Sequence, residues 1–310
     1  MRAINKVSLF RLLFALILFF CCIACKRQEP APNKGPIYGA ATAPKDVTEY
    51  KIGVFPNKTQ INLTEDYLPL IELLNSKYKN VRFSLDTSRD FPSYEAKIKE
   101  GKLDFLFSNP WQTLEAEKTG YKVIAMVGDA KDFKGLIVVR KDSGIRAPRD
   151  LKGKTISYSA PTALASCIMI QYHLHKQGIN ALSEIDSRYV VSLESALMNA
   201  YLKETVAAGT SPRAWRTFQD DHPIEAQKLT VISETPHLIN NSVMARKDVK
   251  SDVQEVVRNS LLKLHETPKG QKILKGIETD RFFEATDNDY EIVRDFVERF
   301  EKEVRPVKPK

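Results

Sequence analysis

From Tyr50 onward the apolar residues alternate between short β-like runs and stretches with helical spacing. Tyr50–Phe55 is the first run, and Leu68, Ile71 and Leu74 then mark one face of a helix over about 63–77. The spacing goes on to predict a strand at Val81–Leu85, a helix at Ser93–Glu100, a strand at Leu103–Phe107, a helix at Pro110–Thr119 and a strand at Lys122–Val127. Strands separated by single helices of this length point to βαβ units. After Gly135 the rhythm resumes, with strands at Leu136–Arg140, Thr155–Tyr158 and Tyr189–Val191 and helices at about 162–177 and 193–203. A strand near Val206, a helix at Pro212–Phe218 and a strand at Leu229–Ile232 follow, and beyond Asn241 the spacing is mainly helical: 253–265, 270–277 and 288–304.

Two stretches repeat each other: Gly135-Leu-Ile-Val-Val-Arg-Lys-Asp142 and Asn241-Ser-Val-Met-Ala-Arg-Lys-Asp248. Each is an apolar strand ending in Arg-Lys-Asp. They are expected to be two hinge crossings, one leading from a first lobe into a second and one leading back. The organisation read from this is lobe 1 at 48–134 plus 246–304, lobe 2 with the hinge strands at 135–245, and a tail at 305–310. Two unrelated strands in one large domain would give the same pattern.

The start of the chain is of another kind. Arg2, Lys6 and Arg11 precede the apolar run Leu12–Ala24, which ends at Cys25. Thirteen apolar residues suit the core of a secretory signal and are too few to cross a bilayer as a helix. Cys22-Ile-Ala-Cys25 resembles the lipobox of bacterial lipoproteins, although Cys22 stands where Leu is usual. The resemblance implies a signal peptide over 1–24 and lipidation at Cys25, with the protein held at the periplasmic or outer face of a bacterial membrane. Residues 25–47 carry Pro30, Pro32, Pro36 and Pro44 among small and polar residues, and are expected to form an extended tether.

Composition narrows the function. The chain has 310 residues and a net charge of +8, three of the positives lying in the signal segment. No concentrated basic stripe is present, so nucleic acid is not an expected partner. Cys167 is the one cysteine beyond Cys25, which excludes a disulfide framework. Gly153-Lys-Thr155 looks like the end of a phosphate-binding loop, but Pro148 stands where its first Gly belongs. His173 and His175, two apart on a helix, point to different sides and cannot share a metal. Neither an enzyme, a metal nor a cofactor is expected.

The residues do resemble a family: the phosphate-, phosphite- and phosphonate-binding proteins of ABC importers, which have the type 2 periplasmic-binding-protein fold. The likeness is carried by Phe133-Lys-Gly-Leu-Ile-Val-Val-Arg-Lys-Asp-Ser-Gly144, Asp150-Leu-Lys-Gly-Lys-Thr155, Gly101-Lys-Leu-Asp104 and Phe107-Ser-Asn-Pro110. It implies an α/β fold of two lobes, each a mainly parallel sheet flanked by helices. It also implies capture of a small oxyanion by hinge closure and delivery to an ABC permease. A sensor subunit working with a membrane histidine kinase, or a binder of another small organic solute, would use the same fold.

In such a fold the ligand lies where strands end and helices begin, because unpaired N–H groups and a partial positive charge sit there. Ser159 and Thr162, in the turn after Thr155–Tyr158, are candidate ligand contacts, and helix capping explains either as well. Thr162 remains of the hydroxyl cradle that the family has here, while Ala163 and Ala165 depart from it. Of Ser108 and Asn109 one is expected to cap the following helix and the other to reach the cleft. Phe55 is a candidate cleft wall. Tyr94 falls at a ligand-contacting Tyr of the family, and core packing is the alternative. Lys134 is placed to neutralise an anion, or is simply solvated. Glu194 begins a helix, where the dipole accounts for it, or accepts a ligand proton.

Overall fold

The computed structural model describes residues 47–307, so the expected signal segment, Cys25 and almost all of the expected tether lie outside the described residues. The elements in order are β1 (Thr48–Val54), α1 (Gln60–Asn75), β2 (Val81–Thr87), α2 (Phe91–Lys99), β3 (Phe105–Ser108), α3 (Pro110–Glu117), β4 (Tyr121–Val127), β5 (Leu136–Arg140) and β6 (Lys154–Tyr158). A π-helical turn, Leu164–Met169, leads into α4 (Ile170–Lys176). Then come β7 (Ile185–Tyr189), α5 (Leu193–Tyr201), β8 (Ala207–Thr210), α6 (Pro212–Asp221), α7 (Pro223–Ala226), β9 (Leu229–Glu234) and β10 (Ser242–Arg246). The chain closes with α8 (Ser251–Leu262), α9 (Pro268–Gly276), β11 (Phe282–Phe283) and α10 (Glu291–Glu303).

The strands form a six-stranded sheet in the order β11-β4-β10-β3-β1-β2 and a five-stranded sheet in the order β7-β6-β8-β5-β9. β1 pairs in parallel with β2 and β3, and β6 with β7 and β8. β10 runs antiparallel to both β3 and β4, and β5 antiparallel to both β8 and β9. Each sheet is therefore mainly parallel in strand direction, as expected, with β10 and β11 reversed in the first and β5 in the second, so the two look-alike strands are among the exceptions. A parallel neighbour requires a crossover helix, whereas β5 and β10 each arrive straight from the other sheet. β10 belongs to the first sheet along its whole length, from Ser242.

Both faces of β5 are covered, as its unbroken apolar run requires. Leu136 and Val138 join one core with Leu197, Phe218 and Leu229, while Ile137 and Val139 join the other with Ile156 and Ile170. The wide π turn rests on this sheet at two glycines. A Cβ at Gly135 would lie 2.5 Å from the Ala165 carbonyl oxygen, and one at Gly209 2.1 Å from that of Ser166. No larger residue fits either position while the turn stays where it is.

The two crossings are tied into a ribbon. Gly135 N donates to Thr235 Oγ1 at 2.9 Å, Thr235 N to the Gly135 carbonyl at 2.9 Å, Leu238 N to Phe133 at 2.8 Å and Val127 N to Asn241 at 2.8 Å. Residues 305–307, within the expected tail, are packed onto the fold. Val307 is buried, and the Arg305 guanidinium donates to Gln171 Oε1 at 2.9 Å and to the Pro161 carbonyl at 3.0 Å, because both acceptors lie within reach of the end of α10.

Candidate functional site

A cleft of about 1180 Å³ opens between the two sheets, lined from the first by Phe55, Asn109 and Asn241 and from the second by Ser159 and Ala163–Ser166. On the second side β6 ends at Tyr158, and the chain turns through Ser159 and Pro161 into the π turn. The Ser159 and Ser166 hydroxyls lie 3.2 Å apart, both residues nearly buried. The opening turn of any helix has N–H groups without intrahelical acceptors, so this wall offers hydroxyls and amide donors together.

From the first sheet comes Asn109, between β3 and α3. Its Oδ1 accepts from Gln112 N at 2.9 Å, and the Gln112 side chain accepts from Asn109 N at 3.2 Å, which makes a capping box. That bond fixes the amide orientation and leaves Nδ2 buried without a partner. Cap and cleft contact, expected of two residues, thus fall on one. Ser108 is the last residue of β3, fully buried and outside the cleft lining. Phe55 does line the cleft, held edge-on to Phe91 with centroids 6.5 Å apart.

Three further expected contacts are not among the residues that line the cleft. Tyr94 is fully buried on the sheet side of α2, where its hydroxyl lies 2.9 Å from the Phe107 carbonyl and 3.3 Å from that of Gly53. Burial pushes its phenol far above the usual range. It fastens α2 to β1 and β3, the core alternative. Lys134 stands next to the Leu136–Glu234 end of the β5–β9 ladder and pairs with the Glu234 carboxylate. Thr162 donates to Glu95 Oε1 at 2.7 Å and so joins its turn to α2 of the other sheet.

Glu194 lines the cleft at the start of α5, a helix capped by the Ser192 hydroxyl, and its Oε1 lies 3.1 Å from His222 Nε2. Its carboxylate already has a partner.

The pattern of the chain gave no sign of a clasp around Glu278. Lys58 and Glu278, from the first sheet's side, meet Arg213 and Thr217 of α6, from the second. Arg213 Nε lies 3.2 Å from Glu278 Oε2, and Lys58 Nζ also lies 2.8 Å from Asp66. Burial works against the Glu278 charge, but Arg213 and Lys58 beside it hold the carboxyl below its usual range. Glu278 has φ 55°, a left-handed conformation normally given to Gly or Asn just past a helix. Arg216 is committed too, to Asp132 at 2.6 Å. Lys58, Arg213 and Arg216 are thus paired to carboxylates, while Lys131 and Lys275 line the same cleft. Asn241 and Ser166 also escaped the sequence reading, since Asn-Asn-Ser looks like turn chemistry and Ala-Ser-Cys like helix interior.

Residues 52–290 match the family described as the periplasmic substrate-binding protein of phosphonate ABC transporters. Among solved structures, a binding-protein component of an ABC phosphonate transporter from Pseudomonas aeruginosa is 16% identical, with a TM-score of 0.76 over 83% of this chain and 87% of its own. PhnD1 of Prochlorococcus marinus, in complex with methylphosphonate, is 16% identical with a TM-score of 0.76 over 82% of this chain and 98% of its own. The periplasmic aliphatic sulphonate-binding protein SsuA of Escherichia coli is 13% identical, with a TM-score of 0.53 over 84% of this chain and 86% of its own. At these identities the structural likeness speaks for the fold, that of type 2 periplasmic binding proteins.

Proposed function

The chain belongs to the family of periplasmic substrate-binding proteins of phosphonate ABC transporters, and from that premise we propose that it captures a small phosphorus oxyanion (phosphate, phosphite or a phosphonate) between its sheets. The observation that carries this reading is the meeting, across one cleft, of the Ser159 and Ser166 hydroxyls and the π-turn N–H groups with the unpaired Asn109 amide. These are neutral donors carried by residues on two sides of one cleft, and such donors can hold an anion without a committed counter-charge.

In this reading Ser159 and Asn109 touch the ligand and Phe55 forms the wall. Thr162, with Glu95, closes one edge of the cleft, and Glu194 with His222 stands at its rim. Tyr94, Ser108 and Lys134 serve the framework. A ligand that touches both sides favours the closed arrangement through contacts that the open one lacks, and the two crossings let the sheets rotate as bodies. The closed protein is then delivered to an ABC permease, and a diacylated Cys25 holds it at the membrane, since one acyl chain anchors only marginally. The family is one of transport and not of catalysis, and periplasmic, as the basic–apolar start of the chain would require.

Calorimetry of the purified protein with methylphosphonate, phosphite and phosphate tests the reading. Saturable binding of at least one is expected, and no binding of any of the three rejects it. Mass spectrometry of the native N-terminus tests the anchor, for which a free end at a residue other than Cys25 is the negative result.

A further inference from the structure

Asn241 lies beside Asn109. Ser242 opposes Ser108 in the antiparallel β10–β3 pair, so Asn241, just before β10, and Asn109, just after β3, come off the same end of neighbouring strands. Both line the cleft and both are more than nine-tenths buried. Asn109 Nδ2 is a donor without a partner, and Asn241 Oδ1 an acceptor without one. The Asn241 backbone is engaged in the second crossing, its carbonyl accepting from Val127 N at 2.8 Å and its N–H donating to Asn240 Oδ1 at 2.8 Å.

We propose that Asn241 determines specificity by accepting a hydrogen bond from a protonated oxyanion, so that the cleft takes anions that carry an acidic O–H in preference to isosteric anions without one. This deepens the oxyanion reading and rests on it. A donor and an acceptor side by side match a P–O⁻ and a P–O–H on one phosphorus. An anion with acceptors only leaves Asn241 Oδ1 facing another oxygen, and a site built to bond a hydroxyl rejects the analogue that lacks it. Glu194, the acceptor suggested by the sequence, is engaged with His222. Because Asn241 sits on a crossing, the bond that selects the ligand is also attached to the segment that turns on closure.

The experiment is calorimetry at mildly acidic pH with methylphosphonate, which there keeps one proton, and methanesulfonate, which has similar shape and no proton to give. The parent protein is expected to prefer methylphosphonate by about tenfold or more, and Asn241→Leu to bring the preference to within about twofold. Melting of the ligand-free Asn241→Leu protein is expected to be unchanged or raised, because the lost atom bonds nothing there. Asn241→Asp should weaken binding of both ions by adding a charge. Equal binding of the two ions by the parent overturns the assignment, as does a preference that survives in Asn241→Leu. A parent that binds methylphosphonate, phosphite and phosphate not at all overturns the oxyanion reading, and this inference with it.

Discussion

The Thr162 hydroxyl donates to the Glu95 carboxylate at 2.7 Å, and the two residues stand on opposite sides of the cleft, one in the turn before the π helix and one on α2. A bond of this kind exists only when the sheets are close. It therefore adds to the closed state and nothing to the open one, which is the condition for shifting an equilibrium between them. Thr162→Val keeps the shape and removes the donor. The variant should bind a phosphorus oxyanion about threefold to tenfold more weakly, with little change in melting temperature. Small-angle scattering should show a larger mean radius of gyration at the same ligand concentration. Unchanged affinity would reduce the bond to a surface contact.

Asn109 combines two roles that substitution can separate. Asn109→Asp keeps an oxygen for the Gln112 N–H and so keeps the cap, while it replaces the free donor by a negative charge in the cleft. Melting should stay within a few degrees of the parent, and anion affinity should fall at least about tenfold. Asn109→Ala loses the cap as well, at about 1 kcal/mol. If Asn109→Asp binds anions as the parent does, Asn109 only caps.

How far these features can be seen in the chain depends on what fixes each of them. The β5 and β10 repeats are legible because an apolar run followed by Arg-Lys-Asp is a local pattern with a local cause. In the fold Arg140 Nε meets Asp142 Oδ1 at 2.7 Å and Arg246 Nε meets Asp248 Oδ1 at 2.6 Å. Each guanidinium also reaches a backbone carbonyl outside its own strand, Tyr201 in one case and Gly101 in the other. Asn109, Ser159 and Phe55 come to line the cleft for a similar reason, since the residue just past a strand faces the end of its sheet. β7 is misplaced by sequence because Ile185-Asp-Ser-Arg-Tyr189, at the edge of its sheet, buries only Ile185. The neighbouring apolar pair Val190–Val191 draws the expectation away. Tyr94, Lys134 and Thr162 are decided by partners 13 to 100 residues away, which periodicity does not carry.

The clasp at Glu278 makes stability depend on pH. Its carboxyl is held below the usual value, so its contribution is complete above the ordinary glutamate range and is lost as pH falls through the lowered folded value. Glu278→Gln keeps the size and removes the charge from Lys58 and Arg213. It should lower stability by about 2 kcal/mol at pH 7, the groups being only partly buried. The gap between parent and variant should close as pH drops below about 4. Denaturant melts at a series of pH values check this, and a gap that stays constant into acid would assign the loss to packing.

Arg305 links the end of the chain to the wall that bears the amide donors. It donates to the Pro161 carbonyl at 3.0 Å and to Gln171 Oε1 at 2.9 Å, and it stacks over Phe300 with its carbon 5.3 Å from the ring centroid. Glu303 adds Lys176 at 3.3 Å and the Tyr172 hydroxyl at 3.4 Å, while Tyr172 meets Phe296 edge-on. The last turn of α10 is thus docked on α4, the helix that continues from the π turn. The Pro161 carbonyl lies two residues before Ala163, so Arg305 acts on the position of the first N–H groups and touches no ligand. Arg305→Lys keeps the charge but cannot span both acceptors with one ammonium. Its affinity for a phosphorus oxyanion should fall about threefold, and that of Arg305→Ala about tenfold, both chiefly through faster dissociation. Amide exchange supplies the readout that separates positioning from general destabilisation. Protection should fall over 161–170 in both variants while β1 and β3 keep theirs. Uniform loss of protection across the two sheets, with affinity falling in proportion to stability, would leave Arg305 a purely structural group.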